Sequence, residues 1–265
     1  MLRISLKSAL KLIPLNFRKL VRSGGKQTAG VSNNRMTTVQ KISDKGEYLV
    51  DNSGQLLFLK YLPDQTKNFF SYDTTNGVKQ IDEAIFSKAI GGDSFQTIEK
   101  LLGQPIHDFV ITEGLNGQRY LSAFHKDSIF GFDKSGQKIY ELKDDFSQGH
   151  AIYDIKFEPP HFLWIAYPTG QTVTKISLET NKEIFKIGNY TYDEVYEPLS
   201  YPESLFITDR HLFISNMGNN KLFKLDLKTY DLQLVTTFAD KIWEYIKIGQ
   251  TEFVRSDNGV FIVGQ

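Results

Sequence analysis

The chain has 265 residues, no cysteine, and 20 Phe and 13 Tyr. Without cysteine there can be no thiol nucleophile, disulfide, thiolate-ligated zinc or covalently attached haem. The net charge of zero hides a split: the first 43 residues hold nine Lys and Arg and no acid, so the rest carries nine more acidic than basic side chains. A body of that sign argues against nucleic acid as its partner, because phosphate binding needs a positive surface.

The first element is a basic arm. On a helical wheel Arg3, Lys7, Lys11, Arg18 and Arg22 share one side. Leu2, Leu6, Ala9, Leu12, Ile13, Phe17 and Leu20 fall largely on the other, with Pro14 set to kink or split the helix. The charges exclude a membrane-spanning helix. Lys11 breaks an already short apolar run and no clear small-residue cleavage site follows, so a secretory signal is a poor match. Residues 2–22 fit an anchor to a membrane surface, a cleavable organelle-targeting peptide, or a leader without function. Location is open between cytoplasm or membrane surface, which we favour, and an organelle. Residues 23–35 (SGGKQTAGVSNNR) read as a flexible linker. The domain division is therefore 1–35, arm and linker, and 36–265, the folded body.

The body repeats itself. LFLKYLPDQTKNFFSYDTTNG from Leu57, RYLSAFHKDSIFGFDKSGQ from Arg119, FLWIAYPTGQTVTKISLETNK from Phe162 and HLFISNMGNNKLFKLDLKTYD from His211 share one skeleton. Each is an alternating strand, a polar turn, a second strand, and a turn of Asp, Ser, Lys, Thr, Asn and Gly. An all-strand repeat of this length predicts β-propeller blades. Each blade would have four strands, with strand A innermost. GEYLVD, HDFVITE, YDIKFE and SLFITD supply strand A; VKQIDEAIF, QKIYELKDD, KEIFKIG and LQLVTTF supply strand D. After Ala239 a fifth unit gives strands A to C as IWEYIKIG, EFVRSD and GVFIVG, then stops. TTVQKIS, residues 37–43, resembles the strand D segments and is expected to complete that last blade, closing the ring. The fold class is all-β, a propeller of about five blades. Six is the alternative if residues 87–105 hide another strand pair, but GGDSFQTIEKLLG reads as a helix capped by Asp93 and stopped by Gly103.

FLWIAYPTGQTVTKISLETNKEIFKIG and LFISNMGNNKLFKLDLKT resemble the repeats of YVTN/NHL-type β-propellers, over most of residues 45–265. The literal YVTN tetrad and the Trp-Asp dipeptide of WD repeats are absent, and the blade count is low. The resemblance implies a recognition or scaffold domain; a minority of similar propellers are metal-dependent lactonases or lyases.

No GxSxG, HExxH, P-loop or dinucleotide-binding glycine motif occurs. Any site must be assembled across blades. Aligning the repeats puts Glu47, Asp108, Asp154, Ser204 and Glu244 at the start of strand A, preceded by Gly46, His107, Tyr153, Glu203 and Trp243. Carboxylates converging on one channel mouth could hold a cation through Glu47, Asp108, Asp154 and Glu244; oxygen ligands suit calcium or magnesium, and no cofactor is certain. His107 could serve as base or further ligand. The plainer reading has the carboxylates accepting backbone amides of neighbouring blades. On the same face, residues 143–152 are acidic with His150, and residues 189–202 set Tyr190, Tyr192, Tyr196 and Tyr201 among carboxylates. Tyr192 and Tyr196 are candidate contacts for a small ligand or a protein partner. The leading expectation is a non-enzymatic binding propeller. The alternative is a divalent-metal-dependent hydrolase or lactonase of the gluconolactonase-like kind.

Overall fold

The structure is a computed structural model; it describes residues 39–64, 66–89, 109–123, 128–143, 146, 149–189 and 198–263. Among them are five four-stranded antiparallel sheets, the blades of a propeller ring. β1 (Val39–Ser43) comes first in the chain but belongs to the last blade. Blade 1 is β2 (Glu47–Asn52), β3 (Gln55–Tyr61), β4 (Lys67–Asp73) and β5 (Gly77–Ile81), followed by the short helix α1 (Glu83–Ala89). Blade 2 is β6 (Phe109–Glu113), β7 (Arg119–Ala123), β8 (Ser128–Phe132) and β9 (Lys138–Lys143). Blade 3 is β10 (Asp154–Glu158), β11 (Phe162–Tyr167), β12 (Thr172–Ser177) and β13 (Lys182–Gly188). Blade 4 is β14 (Pro202–Ile207), β15 (His211–Asn216), β16 (Lys221–Asp226) and β17 (Leu232–Thr237). Blade 5 is β18 (Ile242–Ile248), β19 (Thr251–Ser256) and β20 (Gly259–Val263), completed by β1.

The repeated Asp-rich turn has a local cause. Asp73, Asp133 and Asp226 each fold back over the turn that follows and accept amides from Thr75 and Asn76, Ser135 and Gln137, and Lys228 and Thr229 respectively. An Asp side chain in that place substitutes for a backbone turn bond. The amides of Thr229 and Lys228 hold Asp226 down to about 2. In blade 3 Ser177 takes the same role toward the Thr180 amide.

Between the blades lie apolar wedges. Ile155 and Ile165 of blade 3 pack on Tyr120 and Ile129 of blade 2; Leu205 and Ile214 of blade 4 pack on Trp164 and Val173 of blade 3. Phe213 of blade 4 meets Tyr245 of blade 5, and Ile246 of blade 5 meets Leu49 and Phe58 of blade 1. In blades 3, 4 and 5 strand alternation therefore serves two wedges, one on each face of the sheet.

Ring closure runs through β1, which pairs with β20 from Val39–Val263 to Ser43–Val260. At the end of that pairing Gly259, at φ +132°, lies so close to the Ser43 carbonyl that a Cβ there would collide with it. One strand expectation is corrected. VKQIDEAIF does not run on as a strand: β5 ends at Ile81, Asp82 accepts the Ala84 amide at 2.7 Å, and α1 begins. The capping carboxylate starts the helix, and Phe86 buries itself against Phe69 at 5.1 Å between ring centroids. The helix expected at 91–103 lies outside the described residues, as do the arm and linker. No helix among the described residues is long and apolar enough to cross a membrane.

Candidate functional site

The inner strands begin on the face that carries the D–A and B–C connections, here called the top. Two of them carry an extra residue at that point. In β14 Glu203 is inserted between Pro202, opposite Asn216, and Ser204, opposite Ser215. In β18 Trp243 is inserted between Ile242, opposite Ser256, and Glu244, opposite Arg255. Such bulges take a side chain out of the alternation and re-aim it. β2 has its own irregularity between Glu47 and Val50, with Tyr48 at φ 54°.

Asp154 and Glu244 act alike. Asp154 is buried; its Oδ2 accepts the Leu205 amide of blade 4 at 2.7 Å, and its Oδ1 accepts the Ile155 amide at 2.8 Å and Lys156 Nζ at 2.6 Å. Glu244 Oε1 accepts the Leu49 amide of blade 1 at 2.9 Å, and Oε2 accepts Arg255 Nε at 3.0 Å. Each carboxylate thus ties its own blade to the next one round the ring and neutralises a cation of its own sheet. Burial pushes Glu244 up; Arg255 opposes that shift and Asp154 adds to it. Both amides sit in the same place in their blades, so Leu49 matches Leu205. Tyr48, not Glu47, then matches Ser204 and Glu244, and Glu47 matches the bulged Glu203 and Trp243. Glu47 itself lies in a hollow with Lys45, Lys60, Tyr61, Leu62 and Pro63. The sequence alignment missed this shift because β2 absorbs its extra residue after Glu47 instead of before it.

Glu203 differs from both. It is partly buried, and among the described residues no hydrogen bond or ion pair reaches it. Burial pushes its carboxyl up to about 7 against an ordinary 4.5, with the positive charge of Arg255 pulling the other way. Tyr153 is raised too, first by burial and then by the Glu203 charge. The Arg255 guanidinium lies 5.7 Å from the centre of the Trp243 ring, whose Nε1 donates to Asp257 at 2.6 Å. Tyr153, Glu203 and Trp243 stand at the starts of the inner strands of three successive blades and are called the rim here; the Asp154–Lys156 and Glu244–Arg255 pairs belong to the same strand starts.

Lys156 and Arg255 were not singled out from sequence. Both were accessible to it: Lys156 is two residues after Asp154 and so on the same face, and the tight β18–β19 hairpin puts Arg255 opposite Glu244. His107, Asp108, Tyr192 and Tyr196 lie outside the described residues. Among the described residues no three His, Asp or Glu side chains are grouped to hold a metal ion.

No family model and no curated protein matches this chain. Solved structures do. A streptogramin B lyase is similar with a TM-score of 0.54 at 12% identity, over 86% of this chain and 98% of that one. The virginiamycin B lyase of Staphylococcus aureus is similar with a TM-score of 0.50 at 10% identity, over 84% of this chain and 81% of that one. At these identities the likeness is one of fold: the chain has a propeller architecture of the kind the YVTN/NHL resemblance implies.

Proposed function

We propose that this protein is a non-enzymatic binding propeller, taking a small ligand or a segment of a protein partner at its top face over the rim of Tyr153, Glu203 and Trp243. One observation carries the reading. Of the three carboxylates described at the starts of the inner strands of blades 3 to 5, Asp154 and Glu244 have their oxygens taken by amides and cations, while among the described residues Glu203 has no hydrogen-bond or ion-pair partner. A partly buried carboxylate without a donor is a standing penalty for the empty protein and is relieved by a ligand that supplies one. The aromatic rings beside it offer area at low entropic cost, which suits recognition. The basic arm is proposed to add a second contact through residues 2–22, to an anionic membrane surface.

The test uses the two tryptophans. Trp164 is fully buried and Trp243 is not, so a ligand at the rim changes Trp243 emission. Screening small molecules and peptides by Trp emission should give hits that Trp243→Phe silences and Glu203→Gln weakens. Recovering those hits chemically unchanged after prolonged incubation supports a binding role, and their conversion to product refutes it.

A second reading is favoured by one feature. A carboxyl pushed up to about 7 is suited to general acid–base work, so Glu203 could serve a lyase or hydrolase; both structural neighbours are lyases. Its divalent-metal form would call on Glu47, Asp108, Asp154 and Glu244. For Asp154 and Glu244 the ion would have to displace a backbone amide from the neighbouring blade.

A further inference from the structure

We infer that the rim recognises an organic cation: a ligand presenting a protonated amine to Glu203, with its carbon chain against the rings of Tyr153 and Trp243. This rests on the binding reading and assigns the chemical class of what is bound.

The argument is a charge balance. The described groups that act on Glu203 and its neighbours are Arg255 from β19, Glu244 from β18, Asp154 and Lys156 from β10, and Tyr153 just before β10. Lys156 is spent on Asp154 at 2.6 Å and Arg255 on Glu244 at 3.0 Å. Ionised Glu203 is left as one negative charge without a described counter-ion, in a body with nine more acidic than basic side chains. An anionic ligand would meet that charge, and its attraction to Arg255 is already offset by Glu244. A divalent metal ion wants six or more oxygen ligands, whereas Glu203 offers one carboxylate. An alkylammonium needs only that one acceptor, and its apolar part gains from aromatic faces. Arg255 sets the limit: it lies over Trp243, so the cation is directed to the Tyr153 side of Glu203.

The binding is linked to a proton. Below neutrality Glu203 is protonated and the amine must displace that proton.

The probes are n-butylammonium chloride and sodium butyrate, titrated into the full-length protein by calorimetry and followed by Trp emission, with sodium chloride at equal ionic strength as the reference. Butylammonium should bind at pH 8 about tenfold more tightly than at pH 6, and should release protons at pH 7. Glu203→Gln, checked for folding by its melting curve, should abolish both the binding and its pH dependence. Equal affinity for wild type and Glu203→Gln overturns the assignment of Glu203. Binding of butyrate with no binding of butylammonium overturns the cation class but leaves the rim as a ligand site. No response of calorimetry or Trp emission to either salt overturns both.

Discussion

Replacing Glu203 by Gln should stabilise the protein at alkaline pH and leave it unchanged in acid. A carboxyl raised from 4.5 to about 7 by folding disfavours the folded state by about 3 kcal/mol once ionised, at about 1.4 kcal/mol per pH unit. Glu203 is partly exposed, so solvent screening reduces that to about 1–2 kcal/mol. The sign follows from proton counting. Between about 4.5 and 7 the folded state holds the proton more tightly than the unfolded chain does. Wild-type stability from this group is therefore full below 4.5 and is lost as pH rises through 7. Glutamine is nearly isosteric and does not titrate. Urea unfolding of wild type and Glu203→Gln from pH 4 to pH 8.5 should give curves that coincide near pH 4 and separate to about 1–2 kcal/mol in favour of the variant by pH 8. For a domain of this size that is a rise in Tm of about 2–8 °C. The histidines and Glu244 are common to both proteins and cancel in the difference. Profiles that stay parallel across the range, or a variant less stable at pH 8, would refute the claim that Glu203 is partly buried with no hydrogen-bond or ion-pair partner among the described residues.

Asp154→Ala should be the opposite case, destabilising by about 3–5 kcal/mol, because it strands the Leu205 amide and the Lys156 charge together; denaturant midpoints with and without calcium or magnesium measure it. If wild type is stabilised by either ion and Asp154→Ala is not, the inter-blade tie is the lesser part of its role. Removing residues 1–35 should leave the denaturant midpoint nearly unchanged, whereas removing 1–44 takes away β1 and bares the β20 edge, with aggregation visible by light scattering; two equally soluble truncations would contradict the closure. Lys175, buried over Phe162, Trp164 and Tyr230 and paired with Glu158 at 2.8 Å, joins blades 3 and 4, so Lys175→Ala should lower stability by about 3 kcal/mol in the same unfolding assay. A loss under 1 kcal/mol would mean that the aromatic cluster holds without its cation.

The sequence by itself determined the propeller, its four-stranded blades and the closing strand. These are consequences of local chemistry. Strand alternation has a period of two and recurs in every repeat, and the Asp73, Asp133 and Asp226 turns close on amides within a few residues, with Ser177 in that place in blade 3. It also pointed to the starts of the inner strands as the place where charged side chains of different blades meet. Tertiary structure decided what those side chains do there. Asp154 and Glu244 look equivalent to Glu203 as residue types, but a carboxylate becomes a structural tie only if a neighbouring blade offers an amide at hydrogen-bond distance. Leu205 and Leu49 do so; nothing described does so for Glu203. The bulges in β14, β18 and β2 add to this, since one inserted residue reverses which face a side chain takes and leaves no mark in composition. Repeat alignment therefore found the right level of the fold, and burial and register chose which acid is left without a partner among the described residues.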